Sequence, residues 1–214
     1  KKQVFGSVDI DRGAGPSEVL VIADAKANPR YIAADLLSQA EHDTLACSIL
    51  LTPSQDIAEK VAVEVDKQLA KLSRNEIAKK SIESYGRIVV TETMEEAIDL
   101  ANEIAPEHLE LAVENPFDYL NKIRNAGAIF LGEYSPEPLG DYFAGPNHTL
   151  PTSGTAKFAS PLSVDAFIKK SSVIYYTREA LSSVKDKIIR IAESETLTAH
   201  ANSIRVRFES DEDE

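Results

Sequence analysis

The sequence is poor in cysteine: Cys47 is the only one among 214 residues. A lone cysteine makes no internal disulfide, which excludes a disulfide-stapled scaffold and fits a reducing compartment. Its setting, LACSILLTP, reads as a buried strand rather than as a reactive thiol. A basic excess is also missing. The chain carries 35 acidic against 23 basic residues, a formal net charge of −12. Such a chain has no basic excess to neutralise a phosphate backbone, which argues against nucleic acid as a partner. No apolar run reaches the roughly 18 residues of a membrane span, so no membrane partner is expected. Internal repeats are absent. The chain opens KKQVFG without a Met and is expected to be a trimmed or partial chain, so the lack of a leader excludes nothing. Part of the acidity is the terminal FESDEDE, 208–214, which is expected to be a solvated, disordered tail.

What is present is an alternation. Strand patterns occupy 18–24 (EVLVIAD), which reads as buried, 46–52 (ACSILLT), 87–91 (RIVVT), 109–113 (LELAV) and 127–132 (GAIFLG). Helical patterns lie between them: 29 to about 42 behind the start signal Asn28-Pro29, then 54–72, 74–84, 93–104 and 116–124. The helix at 93 opens on a capping box, Thr93 with Glu96. Strands alternating with helices predict an α/β fold, a mostly parallel sheet covered by helices, with one antiparallel strand allowed by the shorter links. Ligands on such sheets are expected near the carboxyl ends of the strands. The alternation stops at 132–157, a stretch rich in Pro and Gly, and long irregular runs inside a domain are usually functional. A helix near 161–171, a strand at 171–177 (SSVIYYT) and helical segments from 178 to about 207 then form a helical carboxyl-terminal extension.

The chain has only four histidines: His42, His108, His148 and His200. An isolated histidine is more often a satisfied core or surface residue than a functional one. None of these four sits inside an apolar stripe, however, and three have a carboxylate within a few residues. Gln39 and His42, three apart at a helix end, share a face with Cβ atoms roughly 5–6 Å apart. An amide oxygen and an imidazole suit a divalent ion such as Zn²⁺ or Mn²⁺. Many helix surfaces carry such a pair with no metal, and the absence of a thiolate partner excludes a Cys-type structural zinc site. Glu107 and His108 are adjacent in APEHLE, where a bend after Pro106 would let both serve one pocket as a carboxylate and a general base. The competing reading is a solvated helix-to-strand turn. GAGPSE, 13–18, lacks the third glycine of a dinucleotide fingerprint and precedes a strand, so it reads as a tight turn presenting Ser17.

Five stretches, AGPSEVLVIAD, AADLLSQAEHD, APEHLEL, RNAGAIFLGEYSPEPLGDYFAGPNHTLPTSGTAKF and TAHANSIRVR, closely resemble the carboxyl-terminal half of histidinol dehydrogenase. The resemblance covers nearly the whole chain except the acidic tail. It implies an incomplete Rossmann-like domain that oxidises L-histidinol to L-histidine through the aldehyde, with one zinc ion per site and two NAD⁺ used in sequence. By the same resemblance, zinc falls to Gln39, His42, Asp141 and, from the other subunit of a homodimer, His200. The catalytic pair falls on Glu107 and His108. Substrate contacts fall on Ser17, Gln39, His42, His108, Asp141, His148, Glu195 and His200, with Glu195 also supplied across the dimer. The expected organisation is a segment 1–17 left from a missing cofactor-binding half, an α/β domain 18–160 with the metal and acid–base residues, a dimerising helical extension 161–207, and the tail. Residues for NAD are expected mostly in the missing half. A cytoplasmic location is implied, or a plastid if the source is a plant. Two rivals remain: a metal-dependent hydrolase in which Glu107 activates a zinc-bound water, and a non-catalytic half that binds zinc and dimerises.

Overall fold

The structure, a computed structural model, describes residues 1, 3–11 and 13–209. Its centre is β1 (Glu18–Ala23), whose sequence EVLVIA is apolar on both faces and almost wholly buried. A strand with no polar face needs a layer on each side, the situation of a parallel sheet wrapped by helices. β1 pairs with β2 (Cys47–Thr52) on one side and β4 (His108–Ala112) on the other, with Val19 opposite both Ser48 and His108. β3 (Arg87–Val90) and β5 (Ala128–Leu131) complete the order β3-β2-β1-β4-β5, and every pairing is parallel. The allowance for an antiparallel strand is therefore corrected. Even the β4–β5 link, 113–127, is long enough for a parallel crossover, which needs about a dozen residues.

The two faces of β1 select two cores. Val19, Val21 and Ala23 pack with Ile32, Leu36 and Leu37 of α1 (Pro29–Ala40) and with Ile57 and Val61 of α2 (Gln55–Leu69). Leu20 and Ile22 pack with Leu109 and Leu111 and with Ala97, Ile98 and Ala101 of α4 (Met94–Ile104). α3 (Asn75–Tyr85) precedes β3. Caps set the helix starts. The Asn28 side chain accepts from the Arg30 N–H, Ser54 from Ile57, and Thr93 from Glu96. The Glu96 carboxylate returns to the Glu92 N–H, one residue before the cap. Cys47 opens β2 and is half-buried rather than buried, its Sγ 3.5 Å from the Tyr85 carbonyl.

Other expectations give way. The helix expected over 116–124 shortens to α5 (Phe117–Leu120). The stretch 132–157 contains α6 (Glu137–Tyr142) and a 3₁₀ turn at Thr155–Lys157. The helix expected near 161–171 is only a 3₁₀ turn, Val164–Phe167. The strand expected at 171–177 does not form: Val173 is 92% exposed and Ile174, Tyr175 and Tyr176 are exposed beside it. Its β-branched and aromatic side chains favour extended chain, but a strand requires a neighbour for its backbone groups, and none among the described residues supplies one.

The chain divides into a unit Lys1–Ile168 and a second that begins at Lys169, a boundary later than the 160/161 expected. The described residues before β1 form no helix or named strand, only an isolated bridge between Phe5 and Val8. The second unit is a helical hairpin, α7 (Arg178–Ser194) and α8 (Thr198–Arg205), linked through Thr196 in the left-handed region at φ 62°. Ala192 and Ala201 are buried in it, and Arg205 pairs with Glu193. Most of the expected acidic tail, 210–214, lies outside the described residues.

Candidate functional site

The polar cavity of the first unit opens at the amino ends of the strands, not at the carboxyl ends where it was expected. Ser17 immediately precedes β1, Glu107 precedes β4, and His108 begins β4. Gln39 is in the last turn of α1, and His42 lies just past it in a turn whose N–H reaches the Gln39 carbonyl. The helix expected to reach His42 thus ends at Ala40, but the turn keeps both side chains on one wall. The chain leaves β5 at its carboxyl end and runs back through α6 and residues 148–152 to close the cavity. Gly127 shows how close that return is: a Cβ there would meet the Leu150 Cβ at 3.2 Å. Likewise the Gly15 N–H donates to Thr152 Oγ1 at 2.7 Å, and a Cβ on Gly15 would collide with the Ser153 side chain.

The cavity measures about 330 Å³ and is walled by Ser17, Gln39, His42, Glu107, His108, Glu137, Asp141 and His148 among others. Seven of the residues singled out from sequence therefore meet in one place. Glu195, the cap following α7, and His200, in α8, belong to the second unit, and both are exposed. A neighbouring cavity of about 310 Å³, walled by Ile129, Phe130, Leu139 and Leu150, shares Asp141 and His148 but is largely apolar. The titratable groups concentrate in the first cavity.

Glu107 and His108 are held by one residue. The Glu18 backbone N–H donates to Glu107 Oε2 at 3.0 Å, and the Glu18 carbonyl lies 2.9 Å from His108 Nδ1. The Glu18 carboxylate accepts from the Glu107 N–H at 3.3 Å and the Ser153 N–H at 2.9 Å. Before this clamp, α4 ends on Ala105 at φ 55°, a left-handed conformation that costs an alanine about 1 kcal/mol or more, two residues before Glu107 reaches the cavity. With a carbonyl as its neighbour, Nδ1 carries the proton and Nε2 carries the lone pair. His108 Nε2 is buried without a hydrogen-bond partner, as is Gln39 Oε1, on a residue only 1% exposed. Buried polar atoms without partners are rare and call for an absent ligand, water or ion.

Burial dominates the electrostatics. It raises the Glu107 carboxyl to about 7 against the opposing hydrogen bond from Glu18, and it lowers the His108 imidazole, keeping it neutral. Glu137 is raised to about 8 by burial and then by its hydrogen bond to Asp141. Ser38 Oγ donates to Glu137 Oε2 at 3.4 Å. Burial also raises Glu18.

The donor set fits a divalent metal. Among the described residues, His108, Glu137 and Asp141 bring one ligating atom each within 4.8 Å of one another. The amide oxygen of Gln39 adds a further donor on the same cavity. Imidazole, carboxylate and amide ligands suit zinc or manganese. A nicotinamide dinucleotide does not fit the usual place: the β1–α1 turn, Asp24–Asn28, contains no glycine to let a pyrophosphate approach the backbone.

Glu137, Glu18 and Glu110 escaped the reading of the sequence. Glu137 and Asp141 stand four apart, the spacing of one helical face, but the prolines around them concealed α6. Glu110 had a signal: in HLELAV it takes the inward position of a buried strand, where a charge needs a partner.

The family model described as histidinol dehydrogenase matches residues 1–208. The chain is 61% identical over 208 residues to the histidinol dehydrogenase of Clostridium acetobutylicum, covering 97% of this chain and 48% of that protein. It is 63% identical over 211 residues to the histidinol dehydrogenase of Caldanaerobacter subterraneus subsp. tengcongensis, covering 99% of this chain and 49% of that protein. The crystal structure of histidinol dehydrogenase from Elizabethkingia anophelis superposes with a TM-score of 0.90 at 45% identity, over 96% of this chain and 48% of that one. The chain spans about half the length of the curated relatives it matches.

Proposed function

The chain belongs to the histidinol dehydrogenase family, and on that premise we propose that the protein containing it oxidises L-histidinol to L-histidine through L-histidinaldehyde, using two NAD⁺ in succession. The observation that carries this reading is the pair of buried, unpartnered atoms, Gln39 Oε1 and His108 Nε2, on a cavity that also holds Glu107. They are what a site awaiting a metal and a proton donor would leave open.

From the cluster of His108, Glu137 and Asp141, Asp141 would hold zinc together with Gln39 and His42, with His200 of the partner subunit completing the set and His108 left free to act as the base. Bound there, the ion would anchor the amine and imidazole of the substrate and lend Lewis acidity. His108 Nε2, neutral because it is buried, takes the proton of the substrate hydroxyl as hydride departs, and acts again in the second oxidation. Glu107, raised to about 7, is matched to working pH and takes a proton from the water that hydrates the aldehyde. Ser17 and His148 line the same cavity and orient the substrate, with Glu195 reaching it from the partner subunit. No residue of this chain is assigned to the nicotinamide cofactor, and the chain by itself is not expected to turn over.

The location proposed is cytoplasmic. The relatives reported above are bacterial and give the plastid alternative no support. Among the described residues no helix is long and apolar enough to cross a membrane.

The test uses the full-length protein with zinc, L-histidinol and NAD⁺. NADH absorbance is expected, and its absence with every component supplied returns the choice to a hydrolase or a non-catalytic zinc-binding half. Mixing inactive His42→Ala and His200→Ala variants tests the shared site. A heterodimer then has one site with both lesions and one with neither, so activity recovers to a fraction of wild type. Heterodimers without recovered activity overturn the shared site.

A further inference from the structure

We infer that Glu110, braced by Asp35, is a positioning residue that sets the start of α6 and so delivers Glu137 and Asp141 to the cavity. Glu110 lies in the middle of β4, between Val21 of β1 and Phe130 of β5, and is 4% exposed. Its side chain shares the sheet face of His108, since residues two apart on a strand point the same way. The neighbours of that face are otherwise the apolar cluster around Val19, Val21, Leu36 and Leu37. A carboxyl in such a place is unfavourable unless its oxygens are engaged.

Both are engaged. Oε1 accepts the Glu137 N–H at 2.8 Å, a buried bond to the first residue of α6. The carboxyl also makes a hydrogen bond with Asp35 on α1. α6 needs this support. Its preceding residue, Pro136, offers no side-chain cap, so Glu110 stands where a capping side chain would stand in an ordinary helix. One bond thus ties the helix carrying Glu137 and Asp141 to the central sheet, and Asp35 ties the same carboxyl to the helix carrying Gln39. Neither Glu110 nor Asp35 walls the candidate cavity, so their effect reaches it through α6.

The consequence at the site rests on the metal reading proposed above; the positioning does not. The test therefore reads both, in the full-length protein. Glutamine at 110 keeps an acceptor for the Glu137 N–H and presents an amide to Asp35, whereas leucine keeps the volume and removes both bonds. In metal-free protein, Glu110→Leu is expected to speed amide hydrogen exchange across 137–142 by at least about tenfold, with Val19–Ile22 unchanged as the internal control. Glu110→Gln is expected to stay close to wild type. Asp35→Ala, at a half-buried position, is expected to speed exchange in α6 by a smaller factor, and it serves if Glu110→Leu fails to fold. Zinc affinity, measured against a chelator, is expected to fall about 10–100-fold in Glu110→Leu and little in Glu110→Gln. Unchanged exchange in α6 in the leucine and Asp35→Ala variants overturns the positioning role, as does equal loss in the leucine and glutamine variants. Wild-type protein that binds no zinc overturns the metal reading, while the exchange result still decides the positioning.

Discussion

The two ends of the sheet differ in how their polar groups are satisfied. At the carboxyl ends of β1 and β4, where the strand order reverses, the Asp24 carboxylate accepts the backbone N–H groups of Lys26 and Glu114, each at 2.8 Å. Lys26 pairs with Glu114 at 2.6 Å, and both side chains are more than half exposed. A crevice of about 370 Å³ lies there, bordered by Lys26, Glu114, Gly132 and Tyr134. At the amino ends, Glu107, His108 and Glu137 are buried, and Gln39 and His108 keep atoms with no partner. Ligands in open α/β sheets usually bind at the carboxyl ends, at such a reversal. Here that end has satisfied its own groups, and the other end carries the unmet bonding. Topology points to one end, and the unsatisfied, desolvated groups point to the other.

The largest test of this contrast is turnover in the full-length protein. His108→Asn is expected to lower kcat by about 10²–10⁴-fold with zinc content spared. Lys26→Ala, at the opposite end, is expected to leave kcat within about twofold, because an exposed ion pair contributes little. Equal effects would erase the distinction.

Metal affinity comes next. Gln39→Leu is expected to weaken zinc binding about 10²-fold, at or beyond the loss that follows removal of an outer-shell partner. Without metal the same variant is expected to melt no lower than wild type, because it removes a buried acceptor that has no partner. Chelator competition and calorimetry read the two quantities, and a leucine variant that holds zinc as wild type does would remove Gln39 from the ligand set.

A smaller effect is expected in stability against pH. The folded carboxyls of Asp35, Glu107 and Glu137 sit at about 6, 7 and 8, above their unfolded values. The folded chain therefore holds protons that the unfolded chain has already lost. Their stabilisation is complete below about pH 4 and is lost as pH rises through 6 to 8. The lowered imidazole of His108 works in the opposite sense, adding stability as pH rises toward 6.5. With the raised carboxyls, Glu18 and Glu110 among them, outnumbering the one lowered imidazole, the metal-free protein is expected to melt several degrees higher at pH 5 than at pH 8. A melting temperature that climbs over this range would mean the carboxyls are not desolvated as the fold places them. Glu114→Gln, which removes the exposed ion pair with Lys26, is expected to move the melting temperature at pH 7 by no more than about a degree or two, the smallest effect of the set.

The strands were legible because continuous apolar runs such as EVLVIA and ILLT have no polar face to expose. The helices were legible from Asn28, Ser54 and Thr93, whose side chains do cap them. SSVIYYT misled for the converse reason: strand propensity acts only where a neighbouring backbone exists to pair with. α6 was hidden by Pro136 and Gly140. Pro136 precedes the helix rather than interrupting it. Gly140 is there because a Cβ would come within 2.7 Å of the Phe130 ring, a contact with β5 that no local pattern encodes. Among the site residues, Gln39 with His42 and Glu107 with His108 could be singled out from local spacing and type. The assignment of Asp141 to the metal depended on the resemblance.

By itself the sequence determined the alternation of strands and helices, hence the α/β class and, through long family-like stretches, the family. Those properties are local, or additive along the chain. Only the tertiary structure decided that the cavity opens at the amino ends, that α6 returns Asp141 beside His108, and that Glu107, Glu110 and Glu137 lose their water. Desolvation belongs to what surrounds a group after folding. The same Glu that is an ordinary acid in extended chain becomes a proton holder near neutrality once β1, α1 and the segment 148–152 close around it.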